Sequence, residues 1–470
     1  MKKTIIVLFS ITFLISTAYG FNTEQKQKTA HKVTYQNRLI SEMFITKIDA
    51  SSWISKFFTV SPNSKRVACV SEKFNKQLVV IDGKKGKQYD RIIHGSLIFS
   101  PNSKWFAYAA QLDNQFFIVV DGKEGNKYDG IAAGSIVFSP NSERLAFAAQ
   151  SDNNWFVVVD GKKHKQYDGI KKGAFVFSHD NNHYAYGAQL DNNSFVVVDA
   201  EEIKQYDNVG KFIFSPNSKR LAYVAEIANK SFVVVDGKEE DKFDVIGART
   251  LIFSPDSKRL AYAAKLNDKW LVVVDGKINK HYDIVNNIIF STNSNRIAYG
   301  AKLDNKCFIV IDGKEEDGYN DLKGTPIFSP DSKRIAYIVA KDYGVFVIVD
   351  GQEGKKYDGI IKGTLFFSPD SKHFVYVAEE NDKKLVVIDG IEEKTYDTIG
   401  DGYLIFSDDS KHLAYGARVG YEYFIVLDGQ EGRHYDSIVK GGSIIFDSPN
   451  RFHYLAMKGV DIYLVEEVID

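Results

Sequence analysis

Ile98-Phe99-Ser100-Pro101-Asn102-Ser103-Lys104, running on to Ala107-Tyr108, Ile118-Val119-Val120-Asp121-Gly122 and Tyr128-Asp129, is one copy of a unit that the chain repeats ten times in full. The opening serine recurs as Ser61, Ser100, Ser139, Ser178, Ser215, Ser254, Ser291, Ser329, Ser368 and Ser407, at intervals of 37 to 39 residues, and a shorter eleventh copy begins near Phe446. Self-similarity at this period marks a chain built by stacking one supersecondary unit, each copy too small to bury its own apolar faces.

The unit reads as β. Proline follows seven of the ten serines and presets the first corner of a tight turn, for which the following Asn or Asp suits the second. Arg259-Leu260-Ala261-Tyr262-Ala263-Ala264 alternates large and small side chains, and Leu271-Val272-Val273-Val274 is a β-branched run of the kind buried on both faces. The Asp-Gly that follows is a hairpin signal, kept in nine of ten copies with Ala200 the exception. Each copy therefore supplies four strands, and no stretch offers an amphipathic helix.

Four-stranded units of this length predict an all-β fold, a β-propeller of about eleven blades over 44–470. The last copy supplies three strands, Ser443 to Phe446, Phe452 to Lys458 and Asp461 to Val465. The segment Phe44 to Trp53, with Ile48-Asp49 in the place of Tyr-Asp, is expected to donate the fourth and close the ring. Propellers typically have about four to eight blades, so eleven copies suggest either two rings in tandem, of five and six, or one unusually large ring. The shorter copies starting at Ser178 and Ser254 favour two.

Phe253-Ser254-Pro255-Asp256-Ser257-Lys258-Arg259-Leu260-Ala261-Tyr262 followed by Val274-Asp275-Gly276 resembles the propeller repeat of TolB-like proteins, Phe-Ser-Pro-Asp-Gly-Lys-Arg-Ile-Ala-Phe and then Asp-Gly. The likeness covers roughly residues 57 to 470 and departs where the family's turn glycine is Ser64, Ser103, Ser142, Ser218, Ser257, Ser332 or Ser371. The resemblance implies a propeller with a periplasmic or secreted binding role more often than catalysis. It transfers no active site, because the matching residues are scaffold.

With 44% hydrophobic residues and a formal net charge of -1 over 470 residues, the chain buries ample core and shows no excess of either sign. That argues against nucleic acid and anionic membrane as partners. Lys2-Lys3, the apolar run Ile5 to Ile15 and Ala18-Tyr19-Gly20 form a Sec-type signal peptide over 1–20, too short to span a bilayer, so the expected destination is periplasmic or extracellular. Residues 21–43 read as a flexible tail. Cys69 and Cys307 occupy different strands six copies apart and are expected as buried free thiols.

Catalytic signatures are missing: there is no Gly-x-Ser-x-Gly, His-Glu-x-x-His, phosphate-cradling loop or Cys-x-x-Cys. No catalytic residue, metal site or cofactor is assigned. His183 fills a slot held by Arg144 and Arg220, which favours a structural role over a metal site with His179. The aspartates of Tyr-Asp recur in nearly every copy and are expected to hold neighbouring turns.

If constant slots are scaffold, freely varying ones are where a partner can be read. The slot five before the Val-Asp aspartate holds Phe116, Trp155, Trp270 and Tyr423 among smaller residues, near one rim, and these four are the candidate ligand-binding residues. The leading expectation is an exported non-catalytic scaffold binding a protein or cell-surface polymer on one propeller face. The alternatives are a glycan lyase or hydrolase with its site at the central mouth, and a structural envelope protein.

Overall fold

A computed structural model describes residues 31–35, 38–173, 175–400 and 404–469; the expected signal peptide and residues 21–30 of the expected tail lie outside them. Eleven antiparallel sheets follow one another in chain order. Blades 1 to 11 begin at Trp53, Arg91, Gly130, Gly169, Asn208, Val245, Ile284, Asp321, Gly359, Thr398 and Ser437.

Blade 2 shows the plan. Its first strand comes in two pieces, Arg91–Ile92 and Ile98–Phe99, both paired with Phe106–Leu112. That strand pairs with Gln115–Val120, which in turn pairs with Lys123–Glu124 and, at its other end, with Tyr128. First strands of neighbouring blades touch: Asn208–Phe214 lies against the 3-10 turn Ala248–Thr250, and that turn against Ile284–Phe290. Fourth strands are bridged by long ion pairs such as Lys87–Glu124 (2.6 Å) and Lys204–Glu239 (2.8 Å). First strands therefore line the centre of the ring and fourth strands its outside.

The ring is one, not two in tandem. The Asn63 N–H donates to Ser103 Oγ of the next blade at 3.0 Å, and Asn102 to Ser142 at 2.9 Å. The same seam recurs at Asp180–Ser218, Asn217–Ser257, Asp256–Ser294, Asn293–Ser332, Asp331–Ser371 and Asp370–Ser410. Between blades 3 and 4, Asn181 Oδ1 replaces the hydroxyl as acceptor for Asn141. These serines have positive φ, 62° at Ser103 and 69° at Ser142, a conformation glycine would take more easily. A glycine lacks the hydroxyl that ties one blade to the next, which explains the departure from the TolB-like pattern.

The two shorter copies do not change the path. Both lose their residues in a first strand, where Asn208–Phe214 and Ile284–Phe290 run continuously instead of in two pieces. A second staple crosses most seams. Arg66 pairs with Asp82 (2.8 Å) in its own blade, lies over Phe99 of the next and donates to Ser103 and Lys104 carbonyls there. Arg144, Arg220, Arg259, Arg296 and Arg334 stack likewise on Phe177, Phe253, Phe290, Phe328 and Phe367.

Closure uses a strand from the other end of the chain. Arg38–Lys47 pairs with Asp461–Ile469, so the donated strand begins at Arg38 rather than Phe44. His31–Tyr35 adds a further strand outside it, so part of the segment read as a flexible tail is sheet. The seam between blades 11 and 1 is made by Ser443 N–H to Ser64 Oγ (2.8 Å), Lys65 to Asp447 (3.0 Å) and buried His453, which touches Asp447 and the Asn63 carbonyl. Apolar cores fill the wedges between blades, each holding residues from two neighbours, as with Ala107, Ala109 and Ile118 against Tyr128, Phe147 and Phe156. Both cysteines are buried and free.

Candidate binding surfaces

Each blade presents a two-residue reversal between its second and third strands, and these tips share one face of the ring. In blade 2 the tip is Asp113-Asn114, both with positive φ (51° and 62°), the type I′ geometry that suits Asp and Asn. The recurring Tyr-Asp aspartates hold these tips: Asp90 Oδ2 accepts the Asp113 N–H at 2.9 Å, and Asp129, Asp168, Asp244 and Asp358 do the same for Asp152, Asp191, Asn267 and Asn381. Lys76 on the preceding blade and that N–H hold the Asp90 carboxyl below its usual range.

Five tips break the pattern: blade 5 has Ala228-Asn229, blade 11 has Gly459-Val460, and the other three are aromatic. Phe74-Asn75 in blade 1, Asp342-Tyr343 in blade 8 and Gly420-Tyr421 in blade 10 carry aromatic side chains that are 97%, 107% and 91% exposed. Phe74 and Tyr343 adopt φ of 52° and 58°, a left-handed conformation that costs a bulky residue more than Asn. Val419, Val460, Trp53 and Phe44 are further exposed apolar side chains on blades 10, 11 and 1. The result is an arc from blade 8 through blades 10 and 11 to blade 1, whereas the tips of blades 2, 3, 4, 6, 7 and 9 are pairs of Asp and Asn. Strained aromatics with nothing packed on them are a partner-binding signature.

Phe116, Trp155, Trp270 and Tyr423 sit one step below this face. Each opens a third strand, opposite Gln111, Gln150, Lys265 and Arg418 on one side and Tyr128, Tyr167, Tyr282 and Tyr435 on the other. All four are half-buried, and Phe116, Trp270 and Tyr423 lean on the cores between their blade and the next. Where the slot holds Ser194, Ser231 or Cys307, the residue is buried. The slot points along the blade toward its neighbour, and the exposed aromatics are at the tip, two residues earlier in the case of Tyr421 and Tyr423. Departure from Asp-Asn at the reversal was the signal in the sequence.

A second surface lines the channel. Lys56, Lys172, Lys211, Arg249, Lys362 and Lys440 lie in or beside first-strand segments, are exposed, and have no carboxylate within ion-pair distance among the described residues. Outside, one lysine at the fourth strand of several blades is matched with a glutamate of the next, as in Lys165–Glu202, Lys280–Glu315 and Lys394–Glu431, while others there, such as Lys162, Lys238 and Lys314, carry no ion pair among the described residues. Among the described first-strand residues the carboxylates are Asp321, paired with Lys323, and Asp447, paired with Lys65. No cluster of metal-ligating side chains occurs among the described residues. His183 is held by Asp199 (2.7 Å) as Arg144 is by Asp160 (2.8 Å), so it belongs to the scaffold.

No protein-family model and no curated protein matches the chain. Among solved structures it is similar to a eukaryotic initiation factor at 15% identity, over 68% of this chain and 93% of that one, with a TM-score of 0.39. It is also similar to the β-propeller domain of the Trilobed protease from Pyrococcus furiosus (14% identity, 54% and 92% covered, TM-score 0.27) and to the Dos1 propeller (10%, 70% and 91%, TM-score 0.31). By its own eleven sheets, the chain is an eleven-bladed β-propeller.

Proposed function

We propose that this protein is an exported, non-catalytic scaffold that binds a protein or cell-surface polymer on the face carrying the turn tips. The observation that carries the reading is the arc of Phe74, Tyr343 and Tyr421, aromatic and fully exposed where blades 2, 3, 4, 6, 7 and 9 place Asp and Asn. Aromatic rings supply large contact area at little entropic cost, and patches of this kind mark interaction sites. The leader residues Lys2-Lys3, Ile5 to Ile15 and Ala18-Tyr19-Gly20, with the TolB-like repeat, support a periplasmic or extracellular setting. Binding is favoured over hydrolysis because the described groups at the channel are mostly unpaired cations rather than the carboxylate pair that glycoside cleavage uses.

The test is recovery with crosslinking from envelope and secreted fractions, comparing the parent with a Phe74→Asn, Tyr343→Asn, Tyr421→Asn triple variant. A partner captured by the parent and by a Lys172→Glu control, and lost by the triple variant, is the expected result. Equal capture by all three overturns the reading.

A further inference from the structure

The residue three places after the Tyr-Asp aspartate fills the wedge between inner strands at several seams. Ile93 packs into the core between blades 2 and 3, Ile361 between blades 9 and 10, and Val439 between blades 11 and 1. In blade 3 that place holds Ala132, and the next holds Ala133. Beside them a pocket of about 310 Å³ opens between blades 3 and 4, with Val137, Phe147, Val157, Ile170 and Phe175 along its walls. That is the lower end of the range for small-ligand sites, about 300–1,000 Å³.

The mouth is formed by Ala133, Gly134, Lys172 and Gly173, all exposed on the channel side. Lys171 is engaged, its Nζ donating to Asn208 Oδ1 at 3.0 Å. Among the described residues Lys172 has no carboxylate partner. Apolar walls below and a free ammonium group above specify one ligand chemistry. The walls offer no partner to a buried charge, so the charged end must stay at the rim, where Lys172 is.

We propose that this pocket binds an amphipathic anion, a short acyl or aryl group carrying a single carboxylate. The apolar part lies between blades 3 and 4, and the carboxylate meets Lys172 at the mouth. The site is separate from the tip face and does not depend on the aromatic arc.

The full chain is titrated with 8-anilinonaphthalene-1-sulfonate, followed by fluorescence, and the probe is then displaced with decanoate, decanol or polyphosphate. Saturable one-to-one binding reversed by decanoate is expected. Ala133→Trp, which fills the mouth from an exposed turn, and Ala133→Asp, which adds a like charge without filling it, should each weaken decanoate at least tenfold. Lys172→Glu should do the same while leaving decanol unchanged, and the triple tip variant should bind as the parent does. Parent-like decanoate affinity in both Ala133 variants overturns the proposal, as does displacement by polyphosphate but not by decanoate, which would instead assign the cations to a polyanion.

Discussion

Arg38 Nη1 donates to Glu467 Oε2 at 3.0 Å with both side chains 2% exposed or less, so the two ends of the chain are joined by a buried ion pair. Glu467 also accepts the Tyr454 hydroxyl at 2.7 Å, and Arg38 Nη2 reaches the Gln430 carbonyl of blade 10 at 3.1 Å. Burial pushes the Glu467 carboxyl up while Arg38 and Tyr454 pull it down. Removing one partner strands the other in a dry interior, at a cost of about 3–5 kcal/mol. Glu467→Gln or Arg38→Ala should lower the unfolding free energy from urea titration by that amount and expose Arg38–Lys47 to faster hydrogen exchange, and Arg38→Met with Glu467→Leu should recover most of it.

The seam serines make a sharper comparison. Ser142, Ser257 and Ser371 are buried, with φ of 69°, 68° and 65°, and each hydroxyl accepts a backbone N–H from the preceding blade. Alanine keeps the strained backbone and loses the bond, about 1 kcal/mol each. Glycine loses the bond but relieves a strain of similar size. Urea unfolding should therefore show a loss of about 3 kcal/mol for the triple alanine variant, since distant seams add, and little change for the triple glycine variant.

Acid should loosen these same turns. Asp180, Asp256, Asp331, Asp370 and Asp409 each accept the hydroxyl of the serine two residues before, and these bonds hold their carboxyls below the usual range, Asp180 down to about 2. A depressed folded value gives stability that is fully present above the unfolded value of about 3.9 and is lost as pH falls from there through the folded value. Asn63, Asn102, Asn141, Asn217 and Asn293 occupy the same place without titrating. Replacing all five aspartates with Asn should leave the melting temperature at pH 7 nearly unchanged and flatten its decline below about pH 4.

Stability and binding should part company at the tips. Phe74→Asn and Tyr343→Asn place a residue that tolerates left-handed φ where an aromatic one now sits. Each should raise stability by about 0.5–1 kcal/mol in calorimetry while weakening capture of the partner. A loss of stability would mean that the rings pack on the blade.

Much of the fold was legible in the residues. Ser-Pro, Asp-Gly and Tyr-Asp fixed strand number and order, because turn chemistry is local. Ring number was not legible, because it depends on what Ser103 and its equivalents reach in the next blade and on where the shortened copies at Ser178 and Ser254 lose their residues. The Phe116 slot is near the rim that carries the tips, as its place after the turn implied, and strand alternation turns it toward a neighbouring blade, as buried Ser194 and Ser231 show. The channel cations were hidden by a net charge of -1, since the balancing carboxylates lie elsewhere on the molecule.

The seam has a further consequence. A typical blade carries a donor toward the following blade and an acceptor toward the preceding one, so any internal copy can follow any other. Duplication or deletion of one whole copy would leave every remaining joint chemically intact. What a change of copy number would disturb is curvature, met at the single joint where Arg38, Glu467 and His453 occur once each. A ring of this design is a modular polymer with one lock, and its circumference is set where the chain's ends meet.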